Sequence, residues 1–227
     1  MSKIEKMILS RDLDYLQPYF YTNPYALRCE LGMGDTREEY MREARRRARE
    51  IHRILFPHGA DAILFNYWIT DWSDSGEVGE KTCSDPDGAI ERTVREEARA
   101  LRFLSECMMR YRHVSVKDLK LYDHMRDPDA GVLRRDRVVC YADGRGFDDG
   151  LIIEGQIASE DNSEVSLVSF ENECILSVYD DRGCDVVFAD HDALRAFYAA
   201  LKPYFLPYDM EEMEKRYLGA GLADANI

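Results

Sequence analysis

The sequence contains no apolar run of the roughly 20 residues that a membrane-crossing helix needs. Its first residues, Met1 to Leu9, lack the long apolar segment of an export signal, so secretion is not expected. No C-x-x-C occurs among the six cysteines, and none of the five histidines lies at zinc-ligand spacing to a cysteine or another histidine. The phosphate-cradling G-x-x-x-x-G-K-[ST] and the nucleophile turn G-x-S-x-G are both missing. Gly32-Met33-Gly34 and Gly144-Arg145-Gly146 are glycine turns without the third glycine of a dinucleotide loop. Bases are scarce: 30 Lys and Arg face 44 Asp and Glu, for a formal charge of -14 and a pI near 4.8. Phosphate affinity is supplied mainly by Lys and Arg, so free nucleic-acid binding is disfavoured. These absences lead us to expect no cofactor, no bound metal and no membrane association. The cysteines read as buried, reduced thiols of a cytoplasmic protein.

What is present suits a globular chain. Its 227 residues are 45% hydrophobic and 33% charged, which fits one domain with a sizeable core. The charge is uneven. Residues 1–60 carry +2, residues 61–130 carry -5, and residues 131–227 carry -11. Asp143 to Asp192 holds 14 acids and only two bases. Arg37 to Arg53 holds seven arginines against four glutamates. One acidic face and one basic helix are expected.

The pattern along the chain is α+β, with a mostly antiparallel sheet, helices packed on one face, and a helical middle section. Residues 1–70 read as strand-helix-strand. Ser10-Arg11-Asp12-Leu13 caps a short helix that ends before Pro18. Residues 26–31 alternate apolar and charged side chains, as a half-buried strand does. Thr36-Arg37-Glu38-Glu39 fits a capping box and opens a helix to Leu55. A second strand, 62–69, is expected to pair with the first. Residues 71–88 form an acidic loop, residues 88–126 are helical (89–111, then a helix capped by Ser115), and residues 127–131 break the chain. From 134 to 217 an antiparallel sheet is followed by C-terminal helices. Its strands are read at 137–142, 151–157, 165–170, 174–179 and 184–188, joined by short turns. Asp190 and Asp209 cap the last two helices.

Two blocks carry a resemblance. Asn23-Pro24-Tyr25-Ala26-Leu27-Arg28-Cys29-Glu30-Leu31-Gly32 and Tyr179-Asp180-Asp181-Arg182-Gly183-Cys184-Asp185-Val186-Val187 resemble the N- and C-terminal blocks of a bacterial family, domain of unknown function 3885. Tyr208-Asp209 is similar to that family's ending. Cys29 departs from it, standing where an aromatic is usual. The resemblance implies a fold grouping and a bacterial origin but no activity.

The candidate binding residues are Asp180, Asp181, Arg182 and Asp185. Read structurally, they make a tight hairpin in which Gly183 takes a positive φ and Arg182 reaches back to a carboxylate. Read functionally, the three aspartates offer oxygen ligands to Mg²⁺ or Ca²⁺. Adjacent strand residues point to opposite faces, which opposes their sharing one ion. Asp118-Leu119-Lys120 is similar to a nuclease metal triplet but falls on an expected helix. The arginine-rich helix offers phosphate contacts, although its glutamates can pair with the arginines internally. Tyr67, Trp68 and Trp72 offer an aromatic patch. The preferred expectation is a non-enzymatic protein-interaction module whose acidic face binds a basic protein. A neutraliser of a basic toxin is one version of it. The alternatives are a divalent-metal enzyme using the turn, and a DNA-associated accessory protein.

Overall fold

The alternation in Ala26-Leu27-Arg28-Cys29-Glu30 does form a strand, β1 (Ala26–Glu30), but its neighbour comes from the far end of the chain. The computed structural model describes residues 1–16, 18–72, 116–121, 132–145, 147–158 and 165–219. In it β1 pairs with β7 (Gly183–Phe188), which continues to β6 (Cys174–Val178), β5 (Val165–Ser169), β2 (Ala62–Trp72), β4 (Val132–Asp143) and β3 (Val116–Leu121). All seven strands run antiparallel to their neighbours. The expected pairing of β1 with β2 is therefore corrected. The meander β5–β6–β7, closed by short turns, forms from local contacts and occupies the space between them.

Among the described residues the α-helices are α1 (Lys3–Leu9), α2 (Leu13–Leu16), α3 (Arg37–Leu55), α4 (Asp149–Ala158), α5 (His191–Leu201) and α6 (Met210–Leu218). The α3 helix starts where the capping box is read, with the Thr36 hydroxyl accepting the Glu39 N–H. The α+β class holds, with one difference in packing. Every residue of β5, β6 and β7 is buried, so this half of the sheet is covered on both faces. On one face Phe197 of α5 stacks on Phe188, and α3 packs against both α4 and α5. On the other face, which carries Arg28 and Asp185, lies the N-terminal segment. There the Phe20 N–H donates to Asp185 Oδ2 at 2.9 Å, and the Tyr141 hydroxyl meets Glu5 of α1 at 3.5 Å. The turn between β5 and β6 pins α1 in place, because Glu173 accepts the backbone N–H groups of both Lys3 and Ile4.

As an edge strand, β1 would leave its outward backbone groups free for pairing with another chain. The C-terminal elements occupy them instead. Leu206 N donates to Arg28 O at 3.1 Å, and Arg28 N meets Met213 Sδ at 3.2 Å. Arg216 Nη1 reaches Ala26 O at 3.3 Å, and the buried Arg47 donates to Glu30 O at 2.7 Å.

Two further expectations are overturned. Residues 151–157 are not a strand but most of α4; the Asp148 side chain accepts the Leu151 N–H at its start. Residues 116–121, expected in a helix capped by Ser115, form β3 against β4, so Asp118-Leu119-Lys120 lies on an edge strand. The acidic loop beyond Trp72, the helix read over 89–111 and the break at 127–131 lie outside the described residues, as do the side chains of Tyr67, Trp68 and Trp72.

Candidate functional site

The three segments that carry the family resemblance meet at one place. Arg28 of β1 lies directly across from Asp185 of β7. Side chains opposite each other in an antiparallel pair share a face. The guanidinium donates from Nε to Asp185 Oδ1 at 2.7 Å and from Nη2 to Oδ2 at 2.9 Å. The third guanidinium nitrogen lies 3.9 Å from Asp209 Oδ2. Aromatic rings wall the group: Tyr21 at 4.5 Å, Phe20 at 5.1 Å and Tyr179 at 5.8 Å from ring centroid to the guanidinium carbon. Phe20 is also covered by Arg216 at 4.0 Å.

Burial here works against charge on Arg28. The hydrogen bonds and attraction of Asp185 outweigh it and push the pKa above the ordinary arginine value, so the side chain stays cationic. The Tyr179 phenol is pushed up, first by burial and then by the negative charge of Asp185. Asp209 is 5% exposed, and its Oδ2 has no hydrogen-bond partner. Its Oδ1 receives the Tyr21 hydroxyl at 3.4 Å. Asp209 therefore does not cap α6 with its side chain as expected; it faces Arg28 instead.

The hairpin block resolves into separate pairs. Arg182 does reach back: its Nε and Nη2 both donate to Asp180 Oδ2, and its backbone N–H donates to Oδ1. Asp181 is held by Arg37 of α3 at 2.5 Å. Asp185 is held by Arg28. Each of the three carboxylates thus has its own arginine, on a different element, and the geometry does not converge them on one ion. Among the described residues no three His, Cys, Asp or Glu side chains form a group that could hold a metal.

Gly183 differs from expectation. Its φ is not positive; the positive-φ glycines among the described residues are Gly34, Gly59 and Gly219. Gly183 is needed for close approach. A Cβ there would stand 2.1 Å from the Tyr179 hydroxyl and 2.7 Å from the backbone oxygen of Cys29. Gly32 of the N-terminal block plays a similar part, because a Cβ would lie 1.9 Å from the Tyr40 ring.

The acidic stretch proves to be largely paired within the chain. Glu154 binds Arg45 and Arg49, Asp149 accepts His52 and the Ala60 N–H, and Asp190 caps α5 while pairing with Lys3. Within the arginine-rich helix, Arg46 bridges Glu43 and Glu50, and Arg47 donates to the carbonyls of Glu30 and Tyr204. Sequence reasoning missed Arg28, Asp209, Tyr21 and Arg216 as members of one group. A signal was present, since a charged residue inside a strand of buried neighbours must find a partner.

A family model described as Domain of unknown function (DUF3885) matches residues 7–209, and the chain belongs to that family. No curated protein and no solved structure matches it. The matched span includes Arg28, Asp185 and Asp209.

Proposed function

We propose that this chain is a bacterial, cytoplasmic protein-interaction module that binds a basic protein, a toxin of high positive charge being one version of that partner. The observation that carries the reading is the disposition of its arginines. Arg28, Arg37, Arg45, Arg46, Arg47, Arg49, Arg182 and Arg216 are all bonded to carboxylates or carbonyls of the same chain. Arginines engaged in this way are poorly placed as phosphate ligands, and the chain's net charge of -14 sets the sign of its long-range field. Such a field steers a positively charged partner and repels nucleic acid. The acidic turn contributes less than its sequence suggests, because Asp180, Asp181 and Asp185 are engaged by arginines. Its part in this reading is to hold the fold.

The test is retention of native proteins on immobilised chain across a salt series. The expected result is a basic protein held at low ionic strength and released as salt rises, since screening lengths shrink to about 3 Å at 1 M. Recovery of only acidic or neutral proteins, unchanged by salt, would overturn the reading.

A further inference from the structure

We infer that the exposed faces of Tyr21 and Tyr208, beside the buried carboxylate of Asp209, form the seat for an arginine or lysine side chain of the basic partner. This rests on the proposed reading and locates its point of contact. Two carboxylates, Asp185 and Asp209, share the guanidinium of Arg28, and the other cation of the group, Arg216, is paired with Glu212, so one negative charge is left without a cation of its own. That charge is buried, and Oδ2 of Asp209 has no hydrogen-bond partner, an arrangement that a further positive charge nearby would relieve.

Two exposed tyrosines adjoin the charge, Tyr21 by a hydrogen bond and Tyr208 as its neighbour in sequence. Tyr21 is 64% exposed although one side of its ring sits on Arg28 at 4.5 Å. Its hydroxyl donates to Asp209 Oδ1, which makes the ring richer in electrons and a better cation acceptor. Tyr208, the residue before Asp209, is 87% exposed. Both rings are open to an incoming side chain. Tyrosine is also a residue on which binding energy concentrates at interfaces. The occupant follows from charge complementarity: an arginine can stack on the tyrosine rings while its positive charge answers the Asp209 carboxylate. An anionic or purely apolar partner would gain nothing from the buried charge.

The test uses the full chain and a fluorescent octa-arginine peptide as probe, read by anisotropy at low salt. Tyr208→Ala is the main variant, since a side chain so exposed can be removed without touching the core. Tyr21→Ala is the second. Glu171→Gln combined with Asp192→Asn removes two exposed charges outside the seat. The expected result is binding by the wild type, weakened about threefold to tenfold by Tyr208→Ala at unchanged Tm, and less than about twofold by the charge pair. Binding that is insensitive to both tyrosine variants would overturn the seat and leave the basic-partner reading standing. No binding of octa-arginine by the wild type would overturn both.

Discussion

The Arg28 guanidinium bridges β1 to β7 by gripping both oxygens of the Asp185 carboxylate, while the Phe20 N–H donates to the same carboxylate from the N-terminal segment. The Asp185 side chain thus ties β7 to β1 and to the N-terminal segment, 157 and 165 residues away in sequence. Asp185 is 1% exposed, so its charge is fully committed to these partners.

A sharp contrast between neighbouring aspartates follows. Asp185→Ala strands a largely buried guanidinium and a backbone N–H, and it should cost about 3–5 kcal/mol. Asp181→Ala removes only the pair with Arg37, whose side chain is 71% exposed, and should cost less than about 1 kcal/mol. Urea unfolding of the two variants measures both. Equal losses would contradict the assignment of Asp185 as the buried member of the turn.

Gly32 and Gly183 should respond differently to a second change. At Gly32 the atoms nearest a new Cβ all belong to the Tyr40 ring. Gly32→Ala should therefore lose about 1–3 kcal/mol and recover part of it when Tyr40→Ser is added. At Gly183 the obstruction includes the carbonyl of Cys29 in the paired strand. Backbone cannot turn aside as a ring can, so Gly183→Ala should not be rescued by removing Tyr179. Thermal melts of the two double-mutant cycles separate these cases.

These contrasts show what was legible in the sequence. The strands of the β5–β7 meander and the Thr36 cap are local features and were read correctly, although the glycine of the β6–β7 turn was not, since Gly183 has no positive φ. Residues 151–157 misled because a short apolar run suits a strand or a buried helix equally. The deciding features were Asp148, which caps α4, and the burial of Ile152, Ile153, Gln156 and Ile157 at helical spacing. The opposite error at Val116–Leu121 arose because pairing with β4 is a long-range contact that no local pattern announces. The Arg28 group was hidden for the same reason. Its members, Tyr21, Arg28, Asp185 and Asp209, span almost the whole chain and meet only when β1 docks on β7.

Arg216 shows how much of the β1 edge depends on one side chain. Its Nη1 donates to the carbonyls of Phe20, Asn23 and Ala26, and its Nε pairs with Glu212. Arg216→Ala leaves three carbonyls short of a donor and uncovers the Phe20 ring, for an expected loss of about 2–3 kcal/mol. Arg216→Lys keeps the charge but loses the Nε bond to Glu212 and the flat guanidinium that covers Phe20, so it should restore less than half of that loss. Hydrogen exchange at β1 should rise in both variants. Protection equal to the wild type would mean that Leu206, Met213 and Arg47 hold the edge without it.

Asp190 supplies a pH-dependent part of the stability. Its carboxylate accepts the Ala193 N–H at the start of α5 and pairs with Lys3 of α1. The hydrogen bond to Ala193, only partly opposed by burial and helped by Lys3, holds its pKa below the ordinary value of 3.8. A carboxyl whose folded pKa is depressed binds its proton more readily in the unfolded chain. Its stabilisation is therefore complete above the unfolded pKa and is lost as pH falls through the folded one. Asp190→Ala should cost about 1 kcal/mol at pH 7, most of it from the cap, because the Lys3 pair is largely solvated. Melting both proteins down a pH series should show the gap in Tm holding to about pH 5 and narrowing below about pH 4, where the wild-type carboxyl begins to protonate. A gap that stays constant into the acid range would show that the side chain acts through packing and not through its charge.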